Sequence, residues 1–254
     1  MLTLFNSQIC HKVYAKLKNL SMRFLPPLEP ALLIKRYKRF LADVILTATG
    51  ETLTVHCPNS GRMTGIDLPG TPIWIRRSLN PNRKLAYTWE ISQENETLVG
   101  VNTQTPNLLI AEALVEKTLE PFKKYAHFKQ EVPYGAHSRL DFLLTDPHHP
   151  PFFLEVKNVH LNLNGSAAFP DSVTLRGTKH LNDLICATKE GYEAGILFLV
   201  QRSDLNCFTV AEKIDPVYAM AFQNALNNGV KVFCFRCNVR SDGISIGASV
   251  SLNL

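Results

Sequence analysis

The residues best suited to chemistry lie in one stretch, RLDFLLTDPHHPPFFLEVK, at positions 139–157. Two apolar runs flank the turn TDPHHPP, which is centred on His148. Folded back symmetrically about that turn as antiparallel strands, they place Asp141 directly opposite Glu155, with Cβ atoms about 5 Å apart. Lys157 follows Glu155 on the same face, two residues on. Leu140, Phe142 and Leu144 then line one face beside Leu154 and Val156, while Leu143 and Phe153 accompany the charges on the other. Strands apolar on both faces read as interior. Two carboxylates opposed in such a place repel and are poorly solvated, so something must compensate them. A divalent cation held by both is the economical answer: Mg²⁺ (or Mn²⁺) takes a few carboxylate oxygens, a backbone carbonyl and retained waters, and the Val156 carbonyl lies between Glu155 and Lys157 to supply one. Lys157 then suits a water nucleophile or the charge that develops on a phosphate, as in metal-assisted phosphodiester hydrolysis. The competing reading is a structural ion pair of Lys157 with Glu155 or Asp141 at a sheet end.

These strands need a scaffold, and the chain from about residue 104 reads as one. PNLLIAEALVEKTLE has helical spacing and places Glu112 and Glu116 four apart on one face. HFKQEVPY, RLDFLL and PFFLEVKNV read as strands, TKHLNDLICATKEG as a helix closed by Gly191, and AGILFLV as a buried strand. PVYAMAFQNALNNG adds a helix and KVFCFRCNV a strand, giving an α/β layout. Before residue 104 the rhythm differs: LLIKRYKRFLADVIL, ETLTVHCP, TPIWIRRS, AYTWEISQ and TLVGVNT are five short strands between turn signals, the pattern of a small OB-like β-barrel. The expected organisation is two-domain, α+β overall: an N-terminal extension at 1–27, a nucleic-acid-binding barrel at 28–103 and an α/β domain at 104–254.

The 254 residues are 45% apolar and 19% charged, enough for a real core and unlike a disordered or membrane-embedded chain. No apolar run approaches the roughly 18 residues of a membrane span, and the N-terminus lacks the pattern of a secretory signal, so a cytoplasmic protein is expected. The six cysteines are scattered, and only Cys234 and Cys237 of CFRC have metal-like spacing. In a strand those two point to opposite faces, which favours ordinary packing. His148 and His149 read as solvated turn residues.

The charge is uneven. Residues 1–104 carry 13 Lys and Arg against 7 Asp and Glu, whereas the rest carry 14 against 15. Such a basic half favours a polyanionic partner, though many basic surfaces are only solvated. In KRYKRF a strand puts Arg36, Lys38 and Phe40 on one face, with Arg39 beside them, so that cations could track phosphates while a ring meets a base. A barrel core could equally claim Phe40. Arg76, Arg77, Arg83 and Lys84 extend the basic supply. In HCPNSGRM, Asn59, Ser60 and Arg62 either hold a phosphate or make a tight turn. Arg176, Lys179 and His180 gather at a helix start, where amides attract anions.

An Asp on one strand followed by Glu-X-Lys on the next resembles the PD-(D/E)XK nuclease superfamily. KRYKRFLADV (35–44), HCPNSGRMTG (56–65), YTWE (87–90), VNTQTPN (101–107), SRLDFLL (138–144), LEVKNVHL (154–161), FPDSVTLRGTKHL (169–181) and NNGV (227–230) together resemble the sugar fermentation stimulation protein A family. The resemblance implies an OB-like domain, a nuclease-like domain, DNA binding and a link to expression of sugar-utilisation genes, maltose in particular. It supports site roles for Asp141, Glu155 and Lys157, and since superfamily members often add a metal-site acid from the preceding helix, it makes Glu112 the first choice for an auxiliary acid, with Glu131 in KQEVPYG a second; the alternative is that Glu112 and Glu116 merely occupy a wet helix face. Leu175 departs from the family, which usually has an acid before Arg-Gly. Residues 1–21 precede the usual family start at a sequence like MRFLPPLEP, as a genuine extension or a misassigned start codon. Two functions follow: a Mg²⁺-dependent nuclease, or a non-catalytic DNA-binding regulator on a nuclease fold. No helix-turn-helix pattern supports a conventional repressor.

Overall fold

The computed structural model describes residues 22–135 and 138–254. The extension at 1–21 and Cys10 lie outside the described residues. The first strand, β1 (Met22–Arg23), joins the sheet of the C-terminal domain, and Phe24 packs into that domain's core. This part of the expected extension is thus built into the second domain.

The barrel has six strands, β2 (Leu28–Tyr37), β3 (Leu41–Leu46), β4 (Thr52–His56), β5 (Pro72–Arg77), β6 (Tyr87–Glu94) and β7 (Thr97–Gly100). They pair in the order β4-β3-β2-β5-β6-β7, and a bridge from His56 to Thr88 ties β4 to β6. Alternation does the work: Ala42, Val44 and Leu46 of β3 point inward to meet Val55, Ile73, Ile75 and Trp89. The segment expected as one strand, LLIKRYKRFLADVIL, is a hairpin. Lys38 and Arg39 take left-handed backbone at φ 48° and 61°, the conformation of tight hairpin turns, and so Arg36, Lys38 and Phe40 do not share a strand face. Phe40 is 47% exposed, which removes it from the barrel core.

The second domain begins with α1 (Thr105–Glu116), which has Pro106 in its first turn and ends on Lys117 in left-handed backbone. Strands β8 (His127–Tyr134), β9 (Ser138–Asp146) and β10 (His149–Val159) follow as a meander. After the short strands β11 (Leu161–Leu163) and β12 (Ser166–Phe169) come α2 (Leu175–Lys189), β13 (Glu193–Val200), β14 (Cys207–Val210), α3 (Pro216–Asn227), β15 (Lys231–Arg240), β16 (Gly243–Ser249) and β17 (Ser251–Leu252). The main sheet runs β1-β16-β15-β13-β10-β9-β8, with β10, β13 and β15 mutually parallel. Its central strands are buried on both faces, as crossover helices require. One core lies beneath α2 and α3, the other beneath α1. Cys234 falls in the first and Cys237 in the second, so CFRC is packing and not a metal clip.

Buried polar groups join the two domains. Gln201 donates to the Asn102 carbonyl at 3.1 Å and to Asn158 at 2.6 Å, while its own carbonyl accepts the Gly100 amide at 2.8 Å. Arg202, 2% exposed, pairs with Glu94 of the barrel at 2.5 Å and with Asp204 at 2.7 Å. Asp171 accepts the Met63 amide at 3.2 Å. With no side chain, Gly61 lets the barrel loop close on Asp171: a Cβ there would stand 2.3 Å from Oδ2. No described helix is long and apolar enough to cross a membrane.

Candidate functional site

The hairpin of β9 and β10 has the register expected about His148, pairing Phe152 with Leu144, Phe153 with Leu143 and Leu154 with Phe142. The ladder stops there. One step further, the Asp141 carboxylate itself replaces a backbone partner, accepting the Val156 amide at Oδ2 (2.7 Å) and the Asn107 side-chain amide at Oδ1 (2.8 Å). The neighbouring ladder is also irregular at this level: Gln130 pairs with Phe142 and Val132 with Leu140, and Glu131 between them sits at φ 52°. Past this break Leu140 packs with Leu143 and Phe153, not with Phe142 and Leu154 as strict alternation requires.

Glu155 and Lys157 lie on β10, between β9 and β13. Glu155 is 2% exposed. Its Oε1 receives Lys157 Nζ at 2.6 Å and a short contact from His180 Nδ1, whereas Oε2 is buried with no hydrogen-bond partner. Burial pushes the Glu155 carboxyl up, but Lys157 and His180 outweigh it and hold it at about 2. Asp141 responds in the opposite sense: burial and then the neighbouring Glu155 charge push it up to about 6, against the Val156 amide, Lys157 and Asn107. The expected repulsion between the two acids is therefore present on Asp141, while Lys157 and His180 already compensate Glu155.

These groups open into a cavity of about 610 Å³ lined by both domains. Arg39, Asn59, Ser60 and Gly61 line it from the barrel, and Asn107, Glu131, Asp141, Glu155, Val156, Lys157, Arg176 and His180 from the second domain. Glu112, the first-choice auxiliary acid, does not line it. One helical turn and more beyond Asn107, Glu112 lines a separate cavity with Glu116, Ser245 and Ile246, and burial followed by Glu116 pushes its carboxyl up to about 7. Among the described residues no group of three or more Asp, Glu, His or Cys side chains is placed to hold a metal. Two carboxylates and a carbonyl still fit a hard cation, which completes its sphere with water. The unpartnered Glu155 Oε2 is the atom such a cation would satisfy.

The expected nucleic-acid contacts divide. Arg36 is an internal clamp, its side chain 9% exposed, donating to the carbonyls of Asn59 (2.7 Å), Gly61 (2.8 Å) and Arg39 (3.0 Å) and pairing with Asp67. Asn59 is buried between the Val101 carbonyl and the Gly61 amide, which shapes the loop at HCPNSGRM. Arg76 pairs with buried Glu90 at 2.8 Å. His180 is buried against Glu155 on the wall of the central cavity. Lys38, Arg62, Arg77, Arg176 and Lys179 are at the surface or partly so, and of these Arg176 lines the central cavity, as Arg39 does from the barrel. Arg77 lines a second, smaller cavity with Arg76 and Arg83. His148 and His149 are exposed, as their turn suggests.

Several cavity residues escaped the sequence reading. Asn107 follows Pro106 at the helix start and gives no periodic signal. His160 lies 3.2 Å from Asp171, both on the cavity wall. Burial raises the Asp171 carboxyl, but His160, the Met63 amide and Ser172 hold it at about 2. The motif LEVKNVHL contains His160 and FPD contains Asp171, so a polar residue within each quoted motif was the available signal.

Comparison with known proteins places these features. The family model described as the SfsA N-terminal OB domain matches residues 34–101, and that described as the sugar fermentation stimulation protein RE domain matches 104–243. A sugar fermentation stimulation protein homolog of Rhodospirillum centenum is 47% identical over 233 residues, covering 91% of this chain and all of the relative. A homolog of Roseobacter denitrificans is 44% identical, covering 92% of this chain and all of the relative. The structure of Pyrococcus furiosus SfsA in complex with Ca²⁺ superposes with a TM-score of 0.85 at 22% identity, covering 93% of this chain and 100% of that one.

Proposed function

The chain belongs to the sugar fermentation stimulation protein family, and from that premise we propose that it is a DNA-binding protein whose C-terminal domain carries a metal-dependent, nuclease-like phosphodiesterase site. The observation that carries the reading is Glu155 Oε2, a buried carboxylate oxygen without a hydrogen-bond partner, beside an Asp141 whose charge is disfavoured. A buried polar atom left unpaired costs about 1–3 kcal/mol, more when charged, and a cation shared with Asp141 removes that cost. Asp141, Glu155 and the Val156 carbonyl would hold Mg²⁺ or Mn²⁺. When bound, that ion supplies Lewis-acid stabilisation of a phosphoryl oxygen and a more acidic water. Lys157, 12% exposed, faces the cavity with its ammonium on Glu155 and is placed to stabilise negative charge developing on a phosphate. Arg39 and Arg176 enter from opposite domains, so a strand laid through the cavity meets a cation on each side. The Ca²⁺ in complex with Pyrococcus furiosus SfsA is the same class of hard, oxygen-seeking ion.

A second reading, a non-catalytic DNA-binding regulator of sugar (maltose) metabolism genes, draws support from the compensation of Glu155 by Lys157 and His180, which needs no metal. One assay separates the two. Labelled single- and double-stranded DNA is incubated with Mg²⁺ or Mn²⁺ and either the native chain or Lys157→Ala. The nuclease reading expects cleavage by the native chain, and Lys157→Ala to keep DNA affinity while losing most cleavage, since the cation acts on charge present chiefly in the transition state. Tight binding without cleavage on any DNA form would overturn the nuclease reading in favour of the non-catalytic one.

A further inference from the structure

We propose that His180 is a positioning residue that pins the Glu155 carboxylate so that Oε2 alone is presented to a divalent cation. The inference rests on the metal-binding reading above. His180 is buried, and its Nε2 accepts from Arg176 Nε at 3.4 Å. With Arg176 donating to Nε2, the ring proton sits on Nδ1 and is given to Glu155 Oε1, and the Lys157 ammonium, though 3.4 Å from Nδ1, is directed to that same carboxylate oxygen. Lys157 Nζ reaches the same oxygen at 2.6 Å, giving Oε1 two donors and Oε2 none.

A carboxylate can turn about its last carbon–carbon bond and exchange its two oxygens. Lys157 alone would follow that turn, because its ammonium is a mobile point charge on a flexible stem. His180 would not. Its ring is fixed on α2, whose first turn is capped by Thr174 and seated against Tyr218 at Gly177, where even a Cβ would stand 2.8 Å from Thr174 and 3.1 Å from Tyr218. The planar donor therefore sets which oxygen faces the cavity, as groups behind metal ligands commonly do. The same logic assigns Asn107 to Asp141 Oδ1, but only Glu155 is left with a wholly unpartnered oxygen.

The test is calorimetric titration of the full chain with Mn²⁺, comparing native protein with His180→Ala, His180→Asn and His180→Gln, each first shown to be folded by its melt in EDTA. Asn carries an amide donor near the position of Nδ1, whereas Gln carries it near Nε2. Alanine and Gln should weaken Mn²⁺ affinity about 10- to 100-fold, and Asn should restore it to within about threefold of native. Native affinity in all three variants, or Asn as weak as Gln, would overturn the positioning role while leaving the metal site. Failure of the native chain to bind Mn²⁺ would overturn both.

Discussion

Without metal, replacing Asp141 by Asn should stabilise the protein. Burial and the Glu155 charge raise the Asp141 carboxyl to about 6 from 3.8, so folding favours its protonated form. The ionised form therefore penalises the fold at pH 8, and the penalty fades as pH falls through 6 and is gone near the ordinary value of 3.8. Roughly two units at 1.36 kcal/mol each amount to about 3 kcal/mol, an upper figure. Asn carries no charge, and its carbonyl can still accept the Val156 amide. A half-turn of the Asn107 amide presents oxygen to the new NH₂, so both hydrogen bonds survive. In EDTA at pH 8 the variant should melt several degrees above native, at roughly 2–4 °C per kcal/mol for a chain of this size, with the gap closing near pH 4. Saturating Mn²⁺ should reverse the order, because only the native site gains about 2.7 kcal/mol at a hundredfold excess over Kd. Melts in the two buffers measure both effects. A purely structural Asp141 would be destabilised by Asn equally with and without Mn²⁺, and equal shifts would refute the reasoning.

Arg36→Ala should lower stability by about 2–3 kcal/mol through its lost carbonyl bonds, with little change in the salt dependence of DNA binding; urea melts and binding titrations test the two halves. Arg39→Ala and Arg176→Ala should each flatten the slope of log K against log salt by about 0.9 on duplex DNA, and unchanged slopes would place the DNA elsewhere. Glu112→Gln should be neutral near pH 4 and stabilising above pH 7, because the raised carboxyl at about 7 penalises the ionised form. For a group only partly buried, solvent screening limits that gain to about 1 kcal/mol, read from melts across pH. Gly61→Ala should cost about 1–3 kcal/mol by driving a methyl into Asp171, and an unchanged melt would mean the loop yields freely.

Strand positions were legible where one face is core and the other solvent, because alternation then has only one solution. The register of β9 on β10 came from the symmetry of apolar residues about His148 and holds for the three pairs from Leu144 to Phe142. KRYKRF misled because hairpin turns usually advertise themselves with Gly or Asn, and here Lys38 and Arg39 adopt the left-handed backbone instead. Strands β11, β12, β14 and β17 have two to four residues and are too short for any periodic signal.

The site was legible as far as it lies along one hairpin and illegible where it depends on partners from elsewhere. Asp141, Glu155 and Lys157 converge because β9 and β10 are neighbours in sequence as well as in space. Spacing alone could not distinguish a basic residue bound for phosphate from one that serves the protein. Arg36 meets the Asn59–Arg62 loop and His180 meets Glu155 across 23 to 26 and 25 residues of sequence, respectively. Both groups spend donors on acceptors inside the protein, while Arg39 and Arg176 are exposed and line the cavity. Glu112 failed as the auxiliary acid for a related reason. Its i, i+4 relation to Glu116 fixes a helix face but not which end of α1 approaches β9, and the end that does is the one bearing Asn107, a neutral donor. A neutral amide at that point adds no further negative charge beside Asp141, whose ionised form burial and Glu155 already disfavour.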